Sequence, residues 1–141
     1  MIKKDIKVAV LGAGAMGCLF GGLMAEKGLD VVLIDVWKDH VDAINKNGLK
    51  MDGHGGDRFI KIKATSDPLT LKPVDAIIIM CKATALKIAL TNAKNIIGDN
   101  TILMSFQNGI GHEAIMQEIA GKDKVLGGTT TQASNIVGPG H

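Results

Sequence analysis

Apolar residues occur along this chain in two patterns: short solid runs, and intervening stretches where they recur every three or four positions. Val8-Ala9-Val10-Leu11, Val31-Val32-Leu33-Ile34 and Ala76-Ile77-Ile78-Ile79-Met80 are solid runs. Rich in β-branched residues and too short for helices, they predict strands buried on both faces, as in a parallel sheet. Between the first two, Leu19, Phe20, Leu23 and Met24 predict a helix that begins near Ala15 and stops at Gly28. Val41 and Ile44 predict a second helix over 39–47, ended by Gly48. Residues 49–52 and 59–64 flank His54-Gly55-Gly56-Asp57 and predict a β-hairpin. Beyond the third apolar run, the pattern predicts a helix over about 84–97, a strand over 101–106, a helix over about 112–120 and a further strand from Lys124.

Strands that alternate with helices predict an α/β fold: a Rossmann-type, right-handed doubly wound, mainly parallel sheet with helices on both faces. Ligands of such sheets bind outside the carboxyl ends of the strands, so residues just past a strand are candidates for function. Four places qualify: the turn after the first strand, Cys81-Lys82, Gln107-Asn108-Gly109 and Thr129-Thr130-Thr131. The first reads Gly12-Ala13-Gly14-Ala15-Met16-Gly17, a glycine fingerprint with a strand before it and a helix after it. Gly12 permits the tight turn, Gly14 lets the backbone approach a pyrophosphate, and Gly17 lets the helix pack close to the strand. Free N–H groups of the first helical turn, from about Ala15, then face the anion with the positive end of the helix dipole.

Asp35 ends the second strand. A carboxylate there accepts hydrogen bonds from the adenosine ribose hydroxyls and repels a 2′-phosphate, which favours NAD(H). Lys38, just beyond, could hold that phosphate, which leaves NADP(H) as the alternative. Asp35 also has a plainer reading, in which it only starts the turn before the helix at Asp39.

At 141 residues, the chain is one domain, with 46% apolar but only 3% aromatic residues, so its core is built of Val, Ile, Leu, Met and Ala. It is short for a dehydrogenase that carries its own substrate domain. Val137-Gly138-Pro139-Gly140-His141 reads as turn chemistry leading onward, so a continuation is expected. A net charge of +2 without an arginine cluster or basic face argues against nucleic acid as partner. Lys61 and Lys63 read as the solvated side of a strand. Lys3 and Lys4 before apolar residues imitate a secretory signal, but Lys7 and the glycines between Gly12 and Gly22 interrupt its apolar core. No later stretch reads as membrane-spanning, so a cytoplasmic protein is expected. Cys18 and Cys81 form no metal-ligand pattern and read as free thiols, Cys81 as a buried structural cysteine in preference to a reactive one. His54 reads as a loop residue, because no second histidine or cysteine stands at ligand spacing; no metal site is expected.

Taken in order, Gly12-Ala13-Gly14-Ala15-Met16-Gly17, Met80-Cys81-Lys82, Gln107-Asn108-Gly109-Ile110-Gly111, Gly127-Gly128-Thr129-Thr130-Thr131 and Gly138-Pro139-Gly140-His141 resemble the N-terminal domain of the ketopantoate reductase (2-dehydropantoate 2-reductase) family. The resemblance covers essentially the whole chain. It implies a nicotinamide-dinucleotide domain that packs on a helical C-terminal domain and reduces ketopantoate to pantoate on the route to pantothenate. It also implies a possible homodimer, and a proton-donating lysine in the second domain, outside this chain. By the same resemblance, Lys82 reaches the cofactor and substrate region, where an ammonium offsets the charge of a 2-keto acid. Asn108 stands near nicotinamide and substrate, where a carboxamide donates and accepts at once. Ser134 aligns near the cofactor. Without the family, Lys82 reads as a surface lysine and Asn108 as turn chemistry. In one respect the chain departs from the family: Asp35-Val36-Trp37 stands where many members carry a basic residue that binds NADP. Two other classes stay open, a nucleotide-sensing domain of a potassium-transport system and a dehydrogenase of another hydroxy acid or a sugar acid.

Overall fold

Val8 and Val10 point to one side of the first strand and Ala9 and Leu11 to the other, and all four are buried. A strand covered on both faces must lie between two layers, and the computed structural model, which describes residues 5–106 and 111–141, has that arrangement. Its elements are β1 (Lys7–Leu11), α1 (Ala15–Glu26), β2 (Asp30–Ile34), α2 (Lys38–Asn47), β3 (Leu49–Met51), β4 (Arg58–Ile60), β5 (Lys63–Thr65), β6 (Val74–Ile79), α3 (Leu86–Asn92), β7 (Ile97–Ser105), α4 (His112–Ala120) and β8 (Val125–Gly127). The main sheet runs β5-β2-β1-β6-β7-β8, with every neighbour parallel. One core layer joins Val8, Val10, Leu33 and Ile78 to Cys18 of α1 and Val41 and Ile44 of α2. The other joins Ala9, Leu11, Ile77 and Ile79 to Leu86 and Leu90 of α3 and Met116 of α4. The chain is therefore a Rossmann-like α/β domain, and the order of its strands reverses between β1 and β6, where ligands of such sheets bind.

In two places the elements differ from the sequence reading. The strand expected over 59–64 is two strands. β4 pairs antiparallel with β3, setting Leu49 opposite Ile60, whereas β5 joins the edge of the main sheet, setting Ala64 opposite Leu33 of β2. One straight strand cannot serve both partners, so the chain bends at Lys61-Ile62. Lys61 and Lys63 are exposed as expected, but Lys61 stands in the bend and only Lys63 in a strand, β5. Asn45 of α2 holds the far side of β5: its Nδ2 donates to the Ala64 carbonyl at 2.8 Å and its Oδ1 accepts the Ala64 N–H at 2.9 Å. An edge strand of three residues is thus pinned by a side chain that no local pattern marks.

The second difference is over 84–97, where a single helix is expected. The chain makes a 3-10 turn at Ala83–Ala85, then α3, then a second 3-10 turn at Lys94–Ile96. Asn95 ties that second turn to the loop before β6, donating to the carbonyls of Pro68 and Leu71 at 2.9 and 3.0 Å. Ile96 is fully buried, and β7 begins at Ile97 instead of Thr101. Its early residues pair through Val74 and Ile97, and the register then shifts before Ala76 meets Ile102. The buried Thr101 hydroxyl bridges the irregularity, accepting from the Gly98 N–H and donating to the Val74 carbonyl.

Candidate functional site

β1 delivers the chain to Gly12 at the point where the strand order reverses. Gly12 has φ +103°, and a Cβ there would fall on the backbone of Cys81 at the end of β6. Its N–H donates to the Ile34 carbonyl at 2.8 Å, and the Met80 N–H donates to the Leu11 carbonyl at 2.8 Å. The turn is thereby wedged between the ends of β2 and β6, where only glycine fits. A Cβ on Gly17 would fall on the Gly12 carbonyl oxygen, so α1 packs against the turn with no room for a side chain. Gly14 is different: it is exposed, and nothing lies within 4 Å of a Cβ built on it. It serves as N-cap of α1, with no side-chain cap and no acidic residue in the first turn. The first N–H groups of an α-helix have no partner within the helix, so this end offers donors and a positive dipole to an anion.

Asp35 takes the plainer of its two readings, shaping the turn before α2, and is also bonded to the glycine turn. Its Oδ2 accepts the Ala13 N–H at 2.8 Å, which fastens it to the glycine turn, and its Oδ1 accepts the Trp37 N–H at 2.9 Å, which shapes the turn into α2. A carboxylate offers about four lone pairs, so both oxygens keep capacity for a ligand. Asp35 borders a cavity of about 150 Å³ with Gly12, Val36, Ser66 and Cys81, on the β2 side of the turn. On the other side, Met16, Cys81, Lys82, Phe106, Thr130 and Gln132 border a cleft of about 340 Å³. Cys81 touches both, so the two spaces flank the glycine turn along the carboxyl edge of the sheet.

Lys82 is exposed in the second cleft. Ser134 is half-buried, with its hydroxyl 3.4 Å from the Met16 sulfur, and it borders a different hollow alongside Ala15 and Cys18. Asn108 lies outside the described residues, as do Gln107, Gly109 and Ile110. Of the remaining candidates, Gly12, Ala13, Gly14, Ala15, Met16 and Gly17 form the turn and the start of α1, Asp35 is hydrogen-bonded to that turn, and Lys82 borders the same cleft as Met16.

Both thiols are held protonated. Burial, and then the charge of Asp35, push Cys18 up to about 12, while burial is the main cause that raises Cys81. A reactive thiolate at Cys81 therefore finds no support.

Sequence reasoning missed His40. It is fully buried in α2, and its Nε2 lies 2.8 Å from the Ala13 carbonyl oxygen. Its ring stacks on Trp37 with centroids 4.9 Å apart. The only trace in the sequence is its place four residues before the buried Ile44, on the same face of the helix. Thr130 and Gln132 complete the cleft from the segment after β8, of which only the threonines had been marked.

A family model described as ApbA, ketopantoate reductase PanE/ApbA, matches residues 8–141. The chain is 42% identical over 135 residues to a 2-dehydropantoate 2-reductase of Pyrococcus horikoshii, covering 96% of this chain and 43% of that protein. It is 35% identical over 134 residues to the 2-dehydropantoate 2-reductase of Streptococcus pyogenes serotype M1, covering 95% and 43%. A PanE/ApbA family ketopantoate reductase from Ralstonia eutropha JMP134 superposes with a TM-score of 0.90 at 32% identity, covering 96% of this chain and 45% of that one. D-mandelate dehydrogenase, solved with NADH and anilino(oxo)acetate, superposes with a TM-score of 0.91 at 33% identity, covering 96% and 44%. The chain thus spans less than half the length of these relatives.

Proposed function

The chain belongs to the ketopantoate reductase PanE/ApbA family, and from that premise we propose that it is the dinucleotide-binding part of an NAD(P)H-dependent reductase that converts 2-dehydropantoate to pantoate. The observation that carries this reading is the pairing of an open, uncapped helix end at Gly14 with a carboxylate, Asp35, bonded to the same turn. The residues fit a dinucleotide. The N–H groups around Gly14, Ala15, Met16 and Gly17 would hold its pyrophosphate, and Asp35 the adenosine ribose, in the cavity shared with Gly12 and Ser66. Such a cofactor supplies a hydride when bound. Lys82, in the neighbouring cleft, would offset the carboxylate of a 2-keto acid, and Asn108 would orient the reactants from the loop after β7. Ser134 would support the first turn of α1 through Met16.

NAD(H) is the favoured cofactor, because the Asp35 carboxylate opposes a 2′-phosphate. A helical second domain would supply the proton donor and most of the substrate contacts, and the assembled enzyme would work in the cytoplasm in pantothenate biosynthesis. The likeness to D-mandelate dehydrogenase supports a second reading, in which the substrate is another 2-keto acid. Family membership favours either enzyme over a nucleotide-sensing domain.

The test is a calorimetric titration of the chain, and of Asp35→Asn, with NADH and NADPH at one salt concentration. The expected result is tighter NADH binding by the wild type, with the preference narrowed in Asp35→Asn. Tighter NADPH binding by the wild type would assign the ribose site to Lys38 or another base, and binding of neither would overturn the cofactor reading.

A further inference from the structure

Ala13 is held at both of its main-chain polar groups, which belong to successive peptides. Its N–H goes to Asp35, and its carbonyl oxygen, turned into the core, accepts from His40 Nε2 at 2.8 Å and from the Cys18 thiol at 3.2 Å. On the other side of the imidazole, the Gly140 N–H donates to His40 Nδ1 at 2.8 Å. A backbone N–H can only donate, so Nδ1 must be the unprotonated acceptor. A neutral imidazole then carries its proton on Nε2 and donates to Ala13. Gly140 is itself fixed: it is buried, its carbonyl accepts the Lys50 N–H at 2.8 Å, and a Cβ there would meet Ala43. The tautomer is thus set by a residue one hundred positions away in the chain.

Peptide geometry links this contact to the ligand. The Ala13 carbonyl and the Gly14 N–H belong to one trans peptide, in which C=O and N–H point in opposite directions. Drawing the carbonyl inward to His40 turns the Gly14 N–H outward, at the exposed glycine that opens α1. We propose that His40 is a positioning residue for the dinucleotide: as an Nε2–H donor locked by Gly140, it fixes the Ala13–Gly14 peptide so that the Gly14 N–H is aimed at the pyrophosphate. The proposal rests on the cofactor reading above.

Two substitutions separate the two sides of the ring. His40→Gln can keep a donor near the Nε2 position and loses the acceptor for Gly140, whereas His40→Asn can keep an acceptor near Nδ1 and loses the donor to Ala13. The chain and both variants are titrated with NADH, their thermal unfolding is recorded, and the Gly14 amide is followed by NMR without ligand. Both variants are expected to lose stability. His40→Asn is expected to bind NADH about tenfold more weakly, the loss of roughly one hydrogen bond, with a displaced Gly14 amide signal. His40→Gln should stay within about threefold of the wild type. Affinity that falls in step with stability in both variants, or in neither, would overturn the proposal. The ¹⁵N spectrum of the wild-type imidazole tests it even if neither variant folds: a protonated Nε2 supports it, and a protonated Nδ1 overturns it. Failure of the wild type to bind either dinucleotide would remove the cofactor reading, and the proposal with it, whereas equal binding by wild type and His40→Asn would remove the role of His40 alone.

Discussion

Cys18 carries a thiol into the core beneath the glycine turn, where it donates to the Ala13 carbonyl, and its raised pKa makes it a source of alkaline sensitivity. In the unfolded chain the thiol titrates at 9.0, and burial pushes it up to about 12 in the folded one. Between these values the unfolded state has released the proton and the native state has kept it, so stability falls as pH rises. The contribution is fully present below pH 9.0 and disappears toward about 12. Urea unfolding between pH 8 and 10 should therefore weaken more steeply in the wild type than in Cys18→Ser, by about 1 kcal/mol at pH 10. Parallel slopes would contradict the assignment. The same scale shows what was legible residue by residue. Gly12, Gly14, Gly17 and Asp35 announce themselves because their types are unusual where they stand, at the ends of apolar runs. His40 does not, because a histidine inside a helical pattern looks the same whether its ring meets solvent or, as here, a carbonyl of the turn.

The contact between α1 and the turn is the element-level feature on which the site depends. In an isolated helix, Ala is favoured over Gly by about 1 kcal/mol, so Gly17→Ala should be stabilising by propensity alone. Here its Cβ would fall on the Gly12 carbonyl oxygen, a backbone atom that cannot step aside. Gly17→Ala is expected to cost about 1–3 kcal/mol in unfolding free energy and to weaken dinucleotide binding, because α1 must move away from the turn it serves. A neutral or stabilising result would show that the helix accommodates the methyl group. At this scale the long, solid runs were readable, as were the short strands β3 and β8, but the division of the second hairpin arm into two strands was not. β1, β2 and β6 have both faces buried and therefore show their burial as hydrophobicity. β4 and β5 have only three residues each, and their division was decided by which partner lay within reach, β3 or β2.

At the scale of the molecule, the sheet is covered unequally. Leu103 packs in the layer with α3 and α4, while Ile102 at 44% and Leu126 at 55% exposure stand on strands β7 and β8 with apolar surface in the open. The relatives are more than twice as long as this chain, and a second domain packed there would accord with the proposed division of labour. The chain alone should then bind NADH yet reduce ketopantoate far more slowly than a protein carrying both domains, since the proton donor is expected in the second. Steady-state assays of the two under the same conditions check this, and comparable turnover would show that this domain holds the whole catalytic apparatus. Among the described residues, no helix is long and apolar enough to cross a membrane.

By itself the sequence determined the alternation of buried strands and helices, the glycine turn and the acid after the second strand. Burial on both faces, tight turns and helix ends each restrict residue type locally, and a local restriction can be read from a local pattern. Only the tertiary structure decided that residues 59–64 would divide between two sheets, that Ala13 would be clamped by Asp35 and His40, and that Gly140 would choose the tautomer of that histidine. Each of these is a hydrogen bond or a pairing between segments distant in the chain, and such a contact leaves no periodicity in either segment.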